Sequence, residues 1–350
     1  MNRGLNRLEV ISVAAAAALT VVAGALDVAG AANTAVFVAS GAALVALAWI
    51  VGVATEQLGE SSGPKVGGVL NATFGNAAEL IITIFAVRAG QLEVATASIT
   101  GSILGNTLLV LGASFLVGGL KNGLQTFDQR IAGMNASMLA LAVIGLGLPT
   151  AFASARGIGP DAQTISDVTA AILLTLYVLS LIFYFRTGAG GHAPSGLPHL
   201  SRPVAMGLLL ASTASVAVIS DVFVGTLAGA IADLGISPAF LGLVIVPIVG
   251  NIAENIVGIK IAYQNQMDFS MVVSLGSSLQ VALGVAPLLV FISLATPHEF
   301  DLVFPVIQVL ALAAAVTITA LIASDGESNW LEGAQLMAVY VIIATAFWYL

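Results

Sequence analysis

Apolar residues fill this chain in long stretches, each closed by a short polar or glycine-bearing break. A helix that crosses a bilayer needs about 20 mostly apolar residues. Eleven stretches qualify, at roughly 8–29, 34–58, 64–88, 93–118, 131–152, 164–186, 202–230, 238–263, 269–294, 302–323 and 330–350. The pattern predicts an all-α polytopic membrane protein with eleven transmembrane helices. The first stretch reads as a retained helix, because no small-x-small cleavage site followed by a polar mature start is evident. With the amino terminus cytoplasmic, Arg3, Arg7, Lys65, Lys121, Arg130, Arg186, Arg202 and Lys260 fall on or near the inner side, and only Arg88 and Arg156 fall outside. This bias matches the positive-inside rule, and eleven crossings then put the carboxyl terminus outside. The expected location is the plasma (inner) membrane if the source is prokaryotic.

The chain also repeats itself. A gap-free shift of 175 residues lays Gly75-Asn76-Ala77-Ala78-Glu79 on Gly250-Asn251-Ile252-Ala253-Glu254, and Gly101-Ser102 on Gly276-Ser277. Over 67–110 against 242–285 there are 14 identities in 44 positions, where composition alone would give roughly one in ten. Each half holds five predicted spans, and an odd number turns the second half over in the membrane. The expected division is an N-terminal helix (1–33), a first five-helix repeat (34–186), a Gly/Pro-rich cytoplasmic linker (187–201) and a second, inverted five-helix repeat (202–350). Inverted repeats are a transporter architecture, with the site near the midplane where the repeats meet. The competing reading is an old duplication with no transport role.

Composition narrows the chemistry. Of 350 residues 59% are apolar and 8% charged, against about 25% charged in a soluble domain. The 18 acidic and 10 basic residues leave no basic surplus for nucleic acid. The absence of cysteine removes disulfides, thiolate metal sites, iron–sulfur clusters and cysteine nucleophiles. His192, His199 and His298 all fall in predicted connections. Any bound metal must therefore take oxygen ligands, which favours hard ions such as Ca2+ or Mg2+.

Glu79 and Glu254 lie inside the spans 64–88 and 238–263. A carboxylate at that depth is costly unless paired, protonated or hydrated, and two at equivalent positions argue for one shared site. Asn76 and Asn251 stand three residues earlier, so amide and carboxylate share a helix face. Gly75 and Gly250 precede them, and Pro247 lies one turn earlier in the second repeat. Such residues let helices approach closely or loosen the backbone. The next span of each half adds Ser102 and Asn106, or Ser277, Ser278 and Gln280. Ser102 and Ser277 both follow their glutamates by 23 residues, whereas Asn106 and Gln280 are not equivalent. Interhelical packing is the competing role for these small polar groups.

Two carboxylates among neutral oxygens suit a divalent hard cation. Without the ion, desolvation and mutual repulsion favour taking up protons. Ca2+ and protons would then compete for Glu79 and Glu254, which is a physical basis for exchange. Glu56 and Asp221, in the helices before each site helix, are candidate access-route acids or solvated helix ends. Lys260 is expected to snorkel to the cytoplasmic interface, and Asp325, Glu327 and Glu332 to sit solvated in a turn.

The duplicated Gly-Asn-x-x-Glu motif, Gly101-Ser102-x-Leu104-x-Asn106, Gly276-Ser277-Ser278-x-Gln280 and the segment Asp325-Gly326-Glu327-Ser328-Asn329-Trp330-Leu331-Glu332-Gly333 resemble the Ca2+/H+ antiporter (CAX) family of the calcium/cation antiporter superfamily. The resemblance spans nearly the whole chain. It implies an extra first helix before two inverted five-helix repeats, and proton-driven Ca2+ export with Glu79 and Glu254 as ion and proton carriers. Ser102 and Gln280 match positions lining that family's site. The linker departs from the family pattern, since many members carry an acidic segment there and 188–199 has none. Val281 is apolar where related sodium/calcium exchangers tend to carry an acid, which weakens a sodium-coupled reading.

The expected function is thus antiport of Ca2+ and protons by alternating access, with the lipid bilayer as solvent, no cofactor and no nucleic-acid partner. The expected metal ligands are Glu79, Glu254, Asn76, Asn251, Ser102, Gln280, Asn106 and Ser277. A homo-oligomer is compatible with the pattern. The runners-up are a Na+-coupled or Mn2+-transporting exchanger and, in a different class, an ion channel using the glutamates as a selectivity ring. A metal-assisted membrane enzyme lacks a His, Cys or Ser–Lys group at convincing spacing.

Overall fold

A computed structural model describes residues 5–157, 159–187 and 200–350. The expected linker at 187–201 lies almost wholly outside the described residues. The helices are, in order, α1 (Arg7–Val28), α2 (Asn33–Ser62), α3 (Pro64–Phe74), α4 (Ala77–Arg88), α5 (Leu92–Leu104), α6 (Leu111–Asn122), α7 (Gln129–Arg156) and α8 (Pro160–Thr187). They continue with α9 (Arg202–Gly225), α10 (Leu227–Leu234), α11 (Pro238–Phe240), α12 (Val246–Tyr263), α13 (Met267–Gln280), α14 (Ala286–Ser293), α15 (Val306–Ile322) and α16 (Trp330–Trp348). Three π-helical turns join neighbours end to end: Gly105–Val110, Leu241–Ile245 and Val281–Val285.

Among the described residues ten helical runs are long and apolar enough to cross a membrane, and α15 is an eleventh, shorter apolar helix. The helices end where local chemistry ends them. Gly63, at φ +90°, turns the chain out of α2 and Pro64 opens α3. Asn6 and Glu9 form a capping box on α1, and Asn329 and Glu332 form one on α16. Glu332 is therefore a half-buried capping group, while Asp325 and Glu327 are exposed as expected.

Polarity runs inside out relative to a soluble protein. Leu8, Ile144, Leu179, Ile342 and other large apolar side chains face outward. Glu79, Asn76, Ser102, Asn106, Asn251 and Ser277 are buried. A bilayer reverses the usual cost of exposing hydrocarbon and leaves every buried polar group in need of a partner. The runs most enclosed by protein are Leu92–Asn122 and Met267–Ser293, which carry Ser102 and Asn106, and Ser277 and Gln280. α1 packs outside, against α2 and α9, where Phe37 and Phe223 stack with centroids 4.9 Å apart. The strands β1 (Gln125–Thr126) and β2 (Glu327–Ser328) pair antiparallel, Gln125 opposite Ser328, and tie the α6–α7 connection to the α15–α16 connection.

Three predicted spans differ in detail. The stretch 64–88 is two helices, broken at Gly75–Asn76. The stretch 202–230 ends at Gly225, and α10 begins after Thr226. The stretch 302–323 becomes helical only at Val306, because proline at 305 disfavours helical geometry in the residue before it. The extended segment satisfies its N–H groups with side chains: Leu302 donates to Ser166 Oγ (2.8 Å) and Phe304 to Thr150 Oγ1 (2.8 Å).

Candidate functional site

The site is built from the broken α3–α4 run and α12, flanked by α5 and α13. The run breaks at Asn76 (φ −103°, ψ 22°), just after Gly75, which keeps right-handed helical angles and donates to the Asn71 carbonyl (2.8 Å), and Glu79 falls in the first turn of α4. In the second half α12 runs through Gly250, Asn251 and Glu254 without a break.

Each glycine of the motif makes room for the other half's glutamate. A Cβ on Gly250 would stand 3.3 Å from Glu79 Cβ, and one on Gly75 would stand 2.7 Å from Glu254 Oε1. The flanking helices approach closely by the same device. A Cβ on Gly101 would strike the Leu243 carbonyl, and one on Gly242 would stand 2.6 Å from the Val94 carbonyl.

All eight residues expected from the sequence come together, in two hydrogen-bonded clusters. In the first, Asn251 Nδ2 donates to Glu79 Oε2 (3.2 Å) and to Ser102 Oγ (3.2 Å). In the second, Ser277 Oγ lies 2.7 Å from Glu254 Oε2 and 3.2 Å from Asn76 Oδ1. A hydroxyl has one proton to give, and the shorter contact assigns it to the carboxylate. Asn106 Nδ2 donates to Ser277 Oγ (3.0 Å), and Asn76 Nδ2 donates to Gln280 Oε1 (2.8 Å). Each cluster crosses the halves: Asn251 serves Glu79, and Asn76 meets Ser277.

The two carboxylates differ in access. Glu79 is fully enclosed, whereas Glu254 is half-buried. Glu79 Oε1 and Asn251 Oδ1 are buried without a hydrogen-bond partner among the described residues. Both are acceptor oxygens, the atom type that ligates a hard cation, and the carboxylate oxygen can also take a proton. Among the described residues no group of three or more His, Cys, Asp or Glu side chains forms a metal cluster, so the negative charge here is that of the glutamate pair.

Glu56 is half-buried on α2 and Asp221 exposed on α9; neither is in the two clusters. Lys260 is exposed near the end of α12. Sequence reasoning missed Asn255, whose buried Oδ1 has no hydrogen-bond partner among the described residues and which lines a cavity with Ser102, Asn106, Asn251 and Tyr340. Its signal was an amide beside Glu254 in an apolar span. The repeat comparison hid it, because the matching residue is Leu80.

An all-helical bundle with about ten apolar spans and a polar, carboxylate-bearing centre defines an integral multi-pass membrane protein. The chain belongs to the sodium/calcium exchanger protein family, whose sequence profile matches residues 32–186 and again 204–349. It is 40% identical over 340 residues to the Ca(2+)/H(+) antiporter of Synechocystis sp., covering 91% of each chain. It is 40% identical over 355 residues to the Ca(2+)/H(+) antiporter ChaA of Bacillus subtilis, covering 99% of this chain and 100% of that one. The structure of native YfkE matches with a TM-score of 0.85 and 38% identity, over 97% of this chain and 100% of that one. The H+/Ca2+ exchanger CAX shares the fold, with a TM-score of 0.75 at 18% identity over 98% of this chain and 93% of that one. These relatives are transporters, not enzymes.

Proposed function

We propose that this protein exchanges Ca2+ for protons across the membrane by alternating access, with both ions competing for Glu79 and Glu254. The observation that carries the reading is the meeting of two equivalent Gly-Asn-x-x-Glu motifs, each supplying a carboxylate to a cluster that the other half completes. Two carboxylates balance one Ca2+ or two protons. Ser102, Ser277, Asn76, Asn251, Asn106 and Gln280 supply or orient neutral oxygens, and a Ca2+ ion takes about 6–8 oxygens. Loaded with Ca2+ or doubly protonated, the pair is neutral and can change sides. Empty, it carries two charges in a low-dielectric centre and stays put. The names of the antiporter relatives support the same cargo. Ca2+ and H+ are cargo here, and the mechanism needs no resident cofactor.

The architecture in this reading is one N-terminal helix (1–33) and two inverted five-helix repeats, 34–186 and 202–350. The twofold match of the family profile supports that division. α15 serves as the eleventh crossing: its 17 residues rise about 25 Å, and the extended residues before it complete the passage. The amino terminus is then cytoplasmic and the carboxyl terminus outside. Glu56 and Asp221, on the helices that precede each site helix, serve in this reading as access-route acids rather than ion ligands.

The test is Ca2+ uptake into proteoliposomes loaded at acid pH and diluted into alkaline buffer, beside a sample with only an outward Na+ gradient. Uptake driven by the proton gradient and lost in Glu79→Gln and Glu254→Gln is the expected result. Uptake driven by sodium alone would assign the protein to Na+-coupled exchange, and uptake needing neither gradient would make it a channel.

A further inference from the structure

The break at Gly75–Asn76 is attended from outside the site. In an unbroken helix the Ala72 carbonyl would accept from the Asn76 N–H, four residues on. A carbonyl released within the membrane needs another donor, and Tyr177 of α8 supplies it: Tyr177 Oη donates to the Ala72 carbonyl at 3.1 Å. The tyrosine ring lies over Gly284, where a Cβ would stand 3.2 Å from Tyr177 Cε1. Gly284 belongs to the π-helical turn that directly follows Gln280. One side chain thus touches both segments whose amides meet, Asn76 to Gln280, at 2.8 Å.

The second half offers a built-in contrast. The 175-residue register places Pro247 opposite Ala72 and Leu109 opposite Gly284. Tyr340 of α16 lines the cavity beside Pro247 and Leu109, so a tyrosine from the last helix stands in the matching place. There α12 is continuous, so the Pro247 carbonyl is engaged within the helix, and Tyr340 makes no hydrogen bond to it.

We infer that Tyr177 is a positioning residue for ion binding: its hydroxyl holds the Gly75–Asn76 break so that Asn76 stays aimed at Ser277 and Gln280, a part that Tyr340 does not play. The inference rests on the exchange reading above for its transport readout, and on backbone geometry for a second readout that does not need transport.

Tyr177→Phe keeps the ring on Gly284 and removes only the donor. The Ca2+ concentration for half-maximal uptake rises about fivefold to tenfold, the loss of one buried hydrogen bond, with maximal rate within about twofold of wild type. Amide hydrogen exchange, read in the same detergent-purified proteins, speeds up across residues 71–79 in Tyr177→Phe and not across 246–255 in Tyr340→Phe. A role in packing alone would lower the maximal rate with the yield of folded protein and leave half-saturation and local exchange unchanged. That result overturns the inference. If wild type shows no proton-driven Ca2+ uptake, the exchange reading fails, and hydrogen exchange still decides whether Tyr177 holds the break. Should Tyr177→Phe not fold, Gly284→Ala displaces the ring and carries the same expectations, and unchanged exchange at 71–79 overturns the inference equally.

Discussion

The same five-residue motif lies on two different backbones. In the first half the helix is interrupted at Asn76, just after Gly75, and Glu79 opens a new one. In the second half α12 passes straight through Gly250, Asn251 and Glu254, and the irregularity lies earlier, in the π-helical turn Leu241–Ile245. A Gly-Asn pair permits a break but does not impose one. Pro247 accounts for the earlier irregularity: a proline removes an N–H and crowds the carbonyl four residues before it, and the wider turn ahead of it relieves that crowding. In the first half Tyr177 waits beside the carbonyl that a break releases, so the break is tolerated at the motif itself. The consequence is a site that is chemically paired but geometrically uneven, with Glu79 enclosed and Glu254 half-buried.

The strongest way to break the comparison is to neutralise one carboxylate at a time. If both glutamates serve one site, Glu79→Gln and Glu254→Gln each reduce proton-driven Ca2+ uptake to the background of empty liposomes. Substantial uptake left in either variant would show that the halves are not equivalent partners.

Next come the glycines. A methyl on Gly75 meets the Asn71 carbonyl at 2.6 Å and Glu254 Oε1 at 2.7 Å, while a methyl on Gly250 meets Glu79 Cβ at a more accommodating 3.3 Å. Overpacking costs about 1–3 kcal/mol, so Gly75→Ala should weaken Ca2+ uptake by about tenfold or more and Gly250→Ala by only about a few fold. Equal losses would deny the unevenness of the two contacts.

The polar residues without counterparts sharpen the contrast further. Gln280 matches Gly105 and Asn106 matches Val281, so the bond from Asn76 to Gln280 has no equivalent on Asn251. Gln280→Ala should raise the half-saturating Ca2+ concentration about fivefold, one hydrogen bond's worth. Placing glutamine at Gly105, to restore symmetry, should not improve binding, since no break presents Asn251 to it. Dose–response curves of uptake check both.

The smallest effect lies outside the spans. Burial holds the Asp301 carboxyl above the ordinary aspartate range, and Asp167 beside it pushes the same way. The folded state therefore binds a proton more tightly there than the unfolded chain, and stability falls as pH rises from the ordinary aspartate range through the raised value. Asp301→Asn removes that slope and should raise Tm slightly at neutral pH, with the gain vanishing in acid. A gain that persists below the ordinary aspartate range would contradict this account.

Most of the polar residues that meet at the centre of the bundle stand out in the sequence. Glu79, Glu254 and the six neutral residues around them stood out because polar groups are rare in apolar spans, and the structure gathers all eight. What escaped was of two kinds. Asn255 escaped because its partner position is Leu80, so repetition gave no signal. The start of α15 was misplaced because Leu302 and Phe304 are as apolar as any helix, and only Ser166 and Thr150, far away in the chain, supply the hydroxyls that keep them extended.

The sequence by itself determined the solvent of this protein, the number of its apolar stretches and which polar residues must meet. These follow from additive transfer costs and from a repeat that duplicates the costly residues. Only the tertiary structure decided where the backbone breaks, which carboxylate is enclosed and which tyrosine finds a carbonyl. Such outcomes depend on a donor or a ring arriving from another helix, and that proximity is not encoded in the local composition of either motif.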